Sequence, residues 1–211
     1  MKDSKTNISE AVIKRLPMYY RHLVKLLDNE VLRVSSKQLA DIMNVTASQI
    51  RQDLNHFGSF GQQGYGYDVI QLKDEIVAIL GIHEKRNMII IGAGNIGQAL
   101  AKFEFGTFNF EILAIFDQNK ELVGKSIAAL TVKDISELEN YLEKNQVDIA
   151  ALTISNENVE PFSDRLANIL VKGIWNFTDI ELSVPENIAV VNVHLVDSLL
   201  QLAYKTSDYD I

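Results

Sequence analysis

The sequence contains no cysteine. That absence excludes disulfides, thiolate metal sites, iron–sulfur clusters and thiol-based redox sensing together. No uninterrupted apolar run approaches the ~18 residues of a membrane-spanning helix, so no membrane partner is expected. The opening Met1–Asn7 has no apolar h-region, which argues against a signal peptide and makes the cytoplasm the expected compartment. What is present is enough to fold. With 47% apolar and 23% charged residues and a mean hydropathy of +0.02, the chain can bury real cores and is not a disordered protein. Its 211 residues exceed the usual ~150 per domain by about half. Two small domains are therefore expected.

The net charge of −8 is unevenly spread. Residues 1–80 hold 10 Lys+Arg against 9 Asp+Glu, whereas the other 131 residues hold 10 against 19. From Lys14 to Arg51 the balance is 7 against 3. The whole chain repels nucleic acid, but its first part need not.

That first part reads as a helix-turn-helix followed by a wing. Leu16, Tyr20, Leu23 and Leu27 form an apolar stripe at helical spacing, and Pro17 suits a first helical turn, so a helix from about Pro17 to Asp28 is expected, with a shorter one possible before it. Ser35-Ser36-Lys37-Gln38 is a capping box opening a helix that buries Leu39, Ile42 and Met43. Asn44 and Val45 break it, and Thr46-Ala47-Ser48-Gln49 is a second capping box. The helix it opens buries Ala47, Ile50, Leu54 and Phe57 and turns Ser48, Arg51, Gln52 and Asn55 the other way. Arg, Gln and Asn match base edges in a major groove, so this row is a candidate recognition surface, with Lys37 and Gln49 beside it. The plain alternative is a solvated face of an ordinary helical hairpin. Residues 58–67 contain Gly58, Gly61, Gly64 and Gly66 interleaved with Phe60, Tyr65 and Tyr67, which suits a twisted two-stranded wing offering Gln62 and Tyr65 to DNA, or else a linker. A connecting helix from Asp68 to Leu80, with Ile70, Val77 and Leu80 apolar, then closes the domain.

The second part reads as a dinucleotide-binding fold. The strand run Met88–Ile91 enters Gly92-Ala93-Gly94-Asn95-Ile96-Gly97, and helix-compatible Gln98–Lys102 follows. This is G-x-G-x-x-G between strand and helix: Gly92 for the tight turn, Gly94 for approach of the backbone to pyrophosphate, Gly97 for close packing, with helix N-terminal amides facing the phosphates. A second strand, Glu111–Phe116, ends in Asp117, twenty residues after Gly97. An acid there accepts ribose hydroxyls and repels a 2′-phosphate, favouring NAD(H) over its phosphorylated form. Coenzyme A or a vestigial site stands as the alternative. Helices at about 134–144 and 161–171 alternate with strands at 148–154, 174–177 and 188–193, which predicts a mostly parallel, doubly wound Rossmann-type sheet. Thr153, Ile154 and Ser155, with Asn176, Phe177 and Thr178, fall at the carboxyl ends of strands and are expected near the nicotinamide. Trp175 reads as packing. The last element, Leu195 to Tyr204, is an apolar helix with no partner left in so small a fold, which points to exchange or packing across a dimer. The domains are thus expected at 1–80, 81–193 and 194–211.

Catalysis is not expected. The four histidines, His22, His56, His83 and His194, fit no proton-transfer arrangement, and about 125 residues of nucleotide fold leave no room for a substrate domain. A small NAD-dependent enzyme remains the other reading.

Lys14-Arg15-Leu16-Pro17-Met18-Tyr19-Tyr20, Arg51-x-Asp53-Leu54-x-x-Phe57-Gly58-x-Phe60-Gly61 and Gly64-Tyr65-Gly66-Tyr67 resemble the redox-sensing repressor family Rex. So do Gly92–Gly97, Phe116-Asp117 and Gly173-Ile174-Trp175-Asn176-Phe177. The resemblance covers nearly the whole chain. It implies a homodimer with winged-helix domains, NAD(H)-binding Rossmann domains and a C-terminal helix swapped between protomers. It further implies repression at inverted-repeat operators and release of DNA on binding NADH. Four departures stand out. Gln52 follows Arg51 where the family is basic, and the wing has Gln62-Gln63 where it is also basic. Phe103 replaces a tyrosine after the first Rossmann helix, and His194 replaces an aspartate before the terminal helix. With the arginine matching Arg15, that tyrosine and aspartate resemble a switch network across the dimer. Here only Arg15 of the three remains, and a protonated His194 beside it would repel it.

Overall fold

The computed structural model describes residues 8–57, 61–62 and 65–207, which fall into two units, Met1–Glu84 and Lys85–Ile211. In the first, helix α1 runs from Glu10 to Asp28 as one element. The expected start at Pro17 is therefore wrong. Val12, Leu16, Tyr19 and Leu23 are buried at helical spacing, so the stripe continues a full turn and more before the proline, and Tyr19 takes the place expected of Tyr20. Pro17 is exposed, so the carbonyl its missing N–H leaves unserved lies on the solvent side.

Helices α2 (Ser36–Met43) and α3 (Ala47–Asn55) follow, separated by Asn44 in the left-handed conformation at φ 54°. Ser35 and Gln38 form the expected reciprocal capping box. The second box forms by half. Thr46 Oγ1 accepts from the Gln49 N–H at 3.1 Å, but the Gln49 side chain turns to Asp53 instead. The buried face of α2 is Leu39, Ala40 and Met43, and Ile42, expected inside, is 45% exposed. On α3, Ile50 and Leu54 are buried, with Ala47, and Phe57 just past its end, only partly so. Strands β1 (Arg33–Val34), β2 (Gly61–Gln62) and β3 (Gly66–Asp68) pair antiparallel in the order β1-β3-β2. Helix α4 (Val69–Leu80) is capped by Asp68 and buries Val69, Leu72 and Ile76, while Ile70 faces out. Of the apolar set expected on this helix, Leu80 packs against the core and Val77 is half-buried, so only Ile70 is misplaced.

The second unit is a seven-stranded sheet built from β4 (Arg86–Ile91), β5 (Phe110–Asp117), β6 (Ser126–Ile127), β7 (Leu130–Asp134), β8 (Ile149–Leu152), β9 (Gly173–Asn176) and β10 (Ala189–Asn192). The order is β10-β9-β8-β4-β5-β7-β6, parallel throughout except for the β6–β7 hairpin. Ile89, Ile91, Ala114, Phe116, Ala150 and Leu152 point to a core covered by helices α6 (Leu138–Lys144) and α7 (Val159–Ala167). Met88, Ile90, Ile115 and Ala151 point the other way, toward α5 (Asn95–Ala101). Continuous apolar runs such as Ile89-Ile90-Ile91 suit strands buried on both faces. Helix α8 (Leu195–Thr206) has no buried residue.

Candidate functional site

In the first unit, the face of α3 carries Ser48, Arg51, Gln52 and Asn55, all exposed, with Lys37 exposed nearby in the chain on α2. Arg51 donates from Nη1 to Ser36 Oγ at 3.1 Å, which ties its guanidinium to the start of α2. Gln49 leaves this set. Its amide donates to Asp53 Oδ1 at 2.7 Å and is held inside the domain. Tyr65 is 71% exposed. Only the backbone of Gln62 is described, and Gly58, Ser59, Phe60, Gln63 and Gly64 lie outside the described residues.

Behind that face sits a group that sequence reasoning passed over. Asp53 is fully buried, yet its carboxylate accepts four hydrogen bonds: Arg15 Nε at 2.7 Å, Arg15 Nη2 at 2.8 Å, Tyr19 Oη at 2.9 Å and Gln49 Nε2. Burial pushes the carboxyl pKa up, but the hydrogen bonds from Arg15, Gln49 and Tyr19 outweigh it and hold the group below its ordinary range. Burial and the bond to Asp53 raise the Tyr19 phenol. This clasp fixes α3 on α1 in two directions, because a bidentate Arg–carboxylate pair constrains angle as well as distance. It also takes up the Arg15 guanidinium within its own unit. Arg15 is thus paired with Asp53 in the first unit, and in the second His194 Nδ1 lies 3.8 Å from Asp179 Oδ1.

In the second unit, a cleft of about 440 Å³ opens at the carboxyl ends of β4, β5 and β8. Gly92, Gly94, Asp117 and Thr153 line it, and so do Ile154 and Ser155. Gly92 has φ +106°, and a Cβ there would meet Thr153 O at 2.7 Å. At Gly97 a Cβ would lie 1.9 Å from Gly92 O, so α5 packs on the turn only through glycine. Gly94 differs, since a Cβ there would meet nothing within 4 Å. That open space on the cleft floor is room for a group that needs close backbone approach. Thr153 Oγ1 donates toward Gly92 O at 2.7 Å and braces the turn.

Asp117 accepts from the Ala93 N–H at 2.5 Å and from the Asn119 N–H at 2.7 Å. The two bonds fix the carboxylate at the cleft wall and leave each oxygen further acceptor capacity. Ala93 itself is buried, Asn95 is exposed at the start of α5, and Ile96 is half-buried; none of the three lines the cleft. Asn176 is fully buried and saturated by the protein. Its Nδ2 donates to Ile180 O and Asn192 Oδ1, and its Oδ1 accepts from Thr178 N and Oγ1. Its position is therefore that of a lock between β9, β10 and the following loop, in place of the expected nicotinamide contact. Phe177 packs on Trp175 at 4.6 Å, Trp175 on Phe105 at 5.9 Å, and Phe105 on Phe103 at 4.6 Å, in a row off the cleft. The cleft also takes in Gln118, Asn119, Asn158 and Arg165, which carried no sequence signal.

Residues 7–55 match the family model "Putative DNA-binding protein N-terminus", and residues 83–180 match "CoA binding domain". A relative from Clostridium botulinum (strain Hall), named redox-sensing transcriptional repressor Rex, is 53% identical over 95% of this chain and 96% of its own. The crystal structure of RSP in complex with β-NAD+ and operator DNA superposes with a TM-score of 0.89 at 48% identity, covering 95% of this chain and 93% of that one. RSP in complex with β-NADH gives 0.87 at 45% identity, covering 95% of each. The relatives are named as repressors, not enzymes. With both of its units matched and half of its residues shared across nearly its whole length, the chain belongs to the Rex family of redox-sensing transcriptional repressors.

Proposed function

We propose that this protein is a homodimeric cytoplasmic repressor that binds inverted-repeat operator DNA through α3 and leaves it when NADH fills the glycine cleft. One observation carries the reading: a polar, exposed Ser48–Arg51–Gln52–Asn55 row and a cleft floored by Gly94 and walled by Asp117 occur in the same chain. Gly94 admits the pyrophosphate, and the Asp117 carboxylate accepts the adenosine ribose hydroxyls while repelling a 2′-phosphate. Thr153 and Gly97 hold the turn in shape. The bound dinucleotide supplies the redox signal through its nicotinamide ring, and the protein supplies differential affinity. Each tenfold preference of NADH for the DNA-free state shifts the equilibrium by about 1.4 kcal/mol. RSP has been solved with NAD+ and operator DNA together, and separately with NADH, which supports the same assignment of ligands to states here.

A second copy completes the fold. Leu195, Val196, Leu199, Leu200, Leu202 and Tyr204 of α8 are each 55–67% exposed. On the α5 side of the sheet, Met88, Phe105, Ile149, Trp175 and Val191 line an apolar trough of about 430 Å³. Burying such leucines gains roughly 1.5–3 kcal/mol each, and an exchanged helix between protomers satisfies them.

The test is fluorescence anisotropy of an inverted-repeat duplex from the gene's own upstream region, challenged separately with NADH, NAD+ and coenzyme A. Release by NADH alone is expected. Release by coenzyme A alone would replace the ligand, and tight binding untouched by any of the three would refute the sensing half of the proposal.

A further inference from the structure

The apolar part of the cleft lining, Leu122, Ile135 and Phe162, offers a slot for a base. The base of a dinucleotide is joined to the ribose that Asp117 would hold, so the base falls in this slot. Two amides, Gln118 and Asn158, stand on the same lining. Gln118 Nε2 donates to Asn158 Oδ1 at 3.1 Å, Asn158 Nδ2 donates to Ser155 Oγ at 2.7 Å, and Ser155 Oγ donates to Glu157 Oε1 at 3.2 Å. An ionised carboxylate only accepts, so Ser155 must give its one proton to Glu157 and accept from Asn158. Asn158 must then turn its oxygen to Gln118, and Gln118 must turn its nitrogen to Asn158. A flipped Gln118 would set carbonyl against carbonyl. The direction of the whole chain is set from Glu157, and the Gln118 Oε1 is left as an acceptor on a residue that lines the cleft.

We infer that Gln118, oriented through Asn158, Ser155 and Glu157, reads the 6-amino group of adenine and makes the cleft selective for adenine over 6-oxopurine dinucleotides. The inference rests on the reading of the cleft as an NAD(H) site and goes further, to the base. Adenine offers the Oε1 an amino donor, whereas hypoxanthine puts a carbonyl there, acceptor against acceptor. Gln118 is the recognition residue; Asn158, Ser155 and Glu157 are positioning residues.

The test compares NADH with reduced nicotinamide hypoxanthine dinucleotide, titrated into the full-length protein and followed by the fluorescence that the shared reduced nicotinamide gives to both. Wild type is expected to prefer NADH about tenfold, the value of one mismatched hydrogen bond. In Glu157→Gln the carboxylate becomes an amide that can also donate, so the chain can reverse, and the ratio is expected to fall toward one. Gln118→Leu should abolish the ratio as well. The ratio is internally controlled, because a damaged fold weakens both ligands alike. Equal binding by wild type would overturn the assignment while leaving the NAD(H) reading intact. A tenfold ratio surviving in Glu157→Gln would overturn the role of the carboxylate. Failure of both dinucleotides to bind would overturn the NAD(H) reading itself, and the base assignment with it.

Discussion

The Asp53→Ala substitution removes the carboxylate that joins α1 to α3 through Arg15 and Tyr19. Three groups lose a partner. Tyr19 is fully buried, so its hydroxyl bears a desolvation cost of about 1–3 kcal/mol. The Gln49 amide, half-buried, loses a bond worth about 1 kcal/mol. The Arg15 side chain is 24% exposed and reaches water, so only about 1 kcal/mol is assigned to its half of the pair. The total of about 3–5 kcal/mol agrees with the usual cost of breaking a buried ion pair. Followed by circular dichroism in urea, with a slope of about 2 kcal/mol per molar, the first unit should lose ~1.5–2.5 M in its midpoint. Trp175, the only tryptophan, lies in the second unit, and its emission should shift less. The effect should depend on pH in one direction. Because the folded pKa of Asp53 lies below the unfolded one, its stabilisation is full above the unfolded value of about 4 and is lost as pH falls through the folded value. Wild-type and variant stabilities should therefore converge in acid. A midpoint change below ~0.5 M, or a gap that widens at low pH, would refute the account of the clasp.

Gly97→Ala should destabilise the second unit and abolish NADH binding, because its Cβ would meet Gly92 O at 1.9 Å, whereas Gly94→Ala should keep the melting temperature and lose NADH affinity alone. Differential scanning fluorimetry with and without NADH separates the two. Arg51→Ala should weaken operator binding by about 1–3 kcal/mol if Arg51 reads a base, with an unchanged salt slope; a slope reduced by about one unit would mark a phosphate contact instead. Leu199→Glu on the exposed face of α8 should shift sedimentation toward monomer, and an unchanged dimer would show that this helix is not the interface.

What the sequence made legible was whatever local chemistry dictates alone. Ser35 and Gln38 cap each other because both partners lie within one turn, and Gly92 and Gly97 are demanded by a backbone crowded against its own neighbours. Legibility ended where long-range partners decide. Gln49 has the spacing of a capping residue and the chemistry of a base reader, yet a buried carboxylate four residues on captures it, and only the packing of α1 on α3 puts Arg15 and Tyr19 there to make that carboxylate worth burying. Asn176 sits at a strand's carboxyl end, where ligands bind, but two strands and a loop saturate all of its hydrogen-bonding positions first. The same competition sets the departures at Phe103 and His194 in a physical frame. Phe103 packs a tilted ring against Phe105 at 4.6 Å, and His194 lies 3.8 Å from the Asp179 carboxylate. In this chain those two positions hold an aromatic contact and a histidine beside a carboxylate, so each is held by neighbours within the second unit.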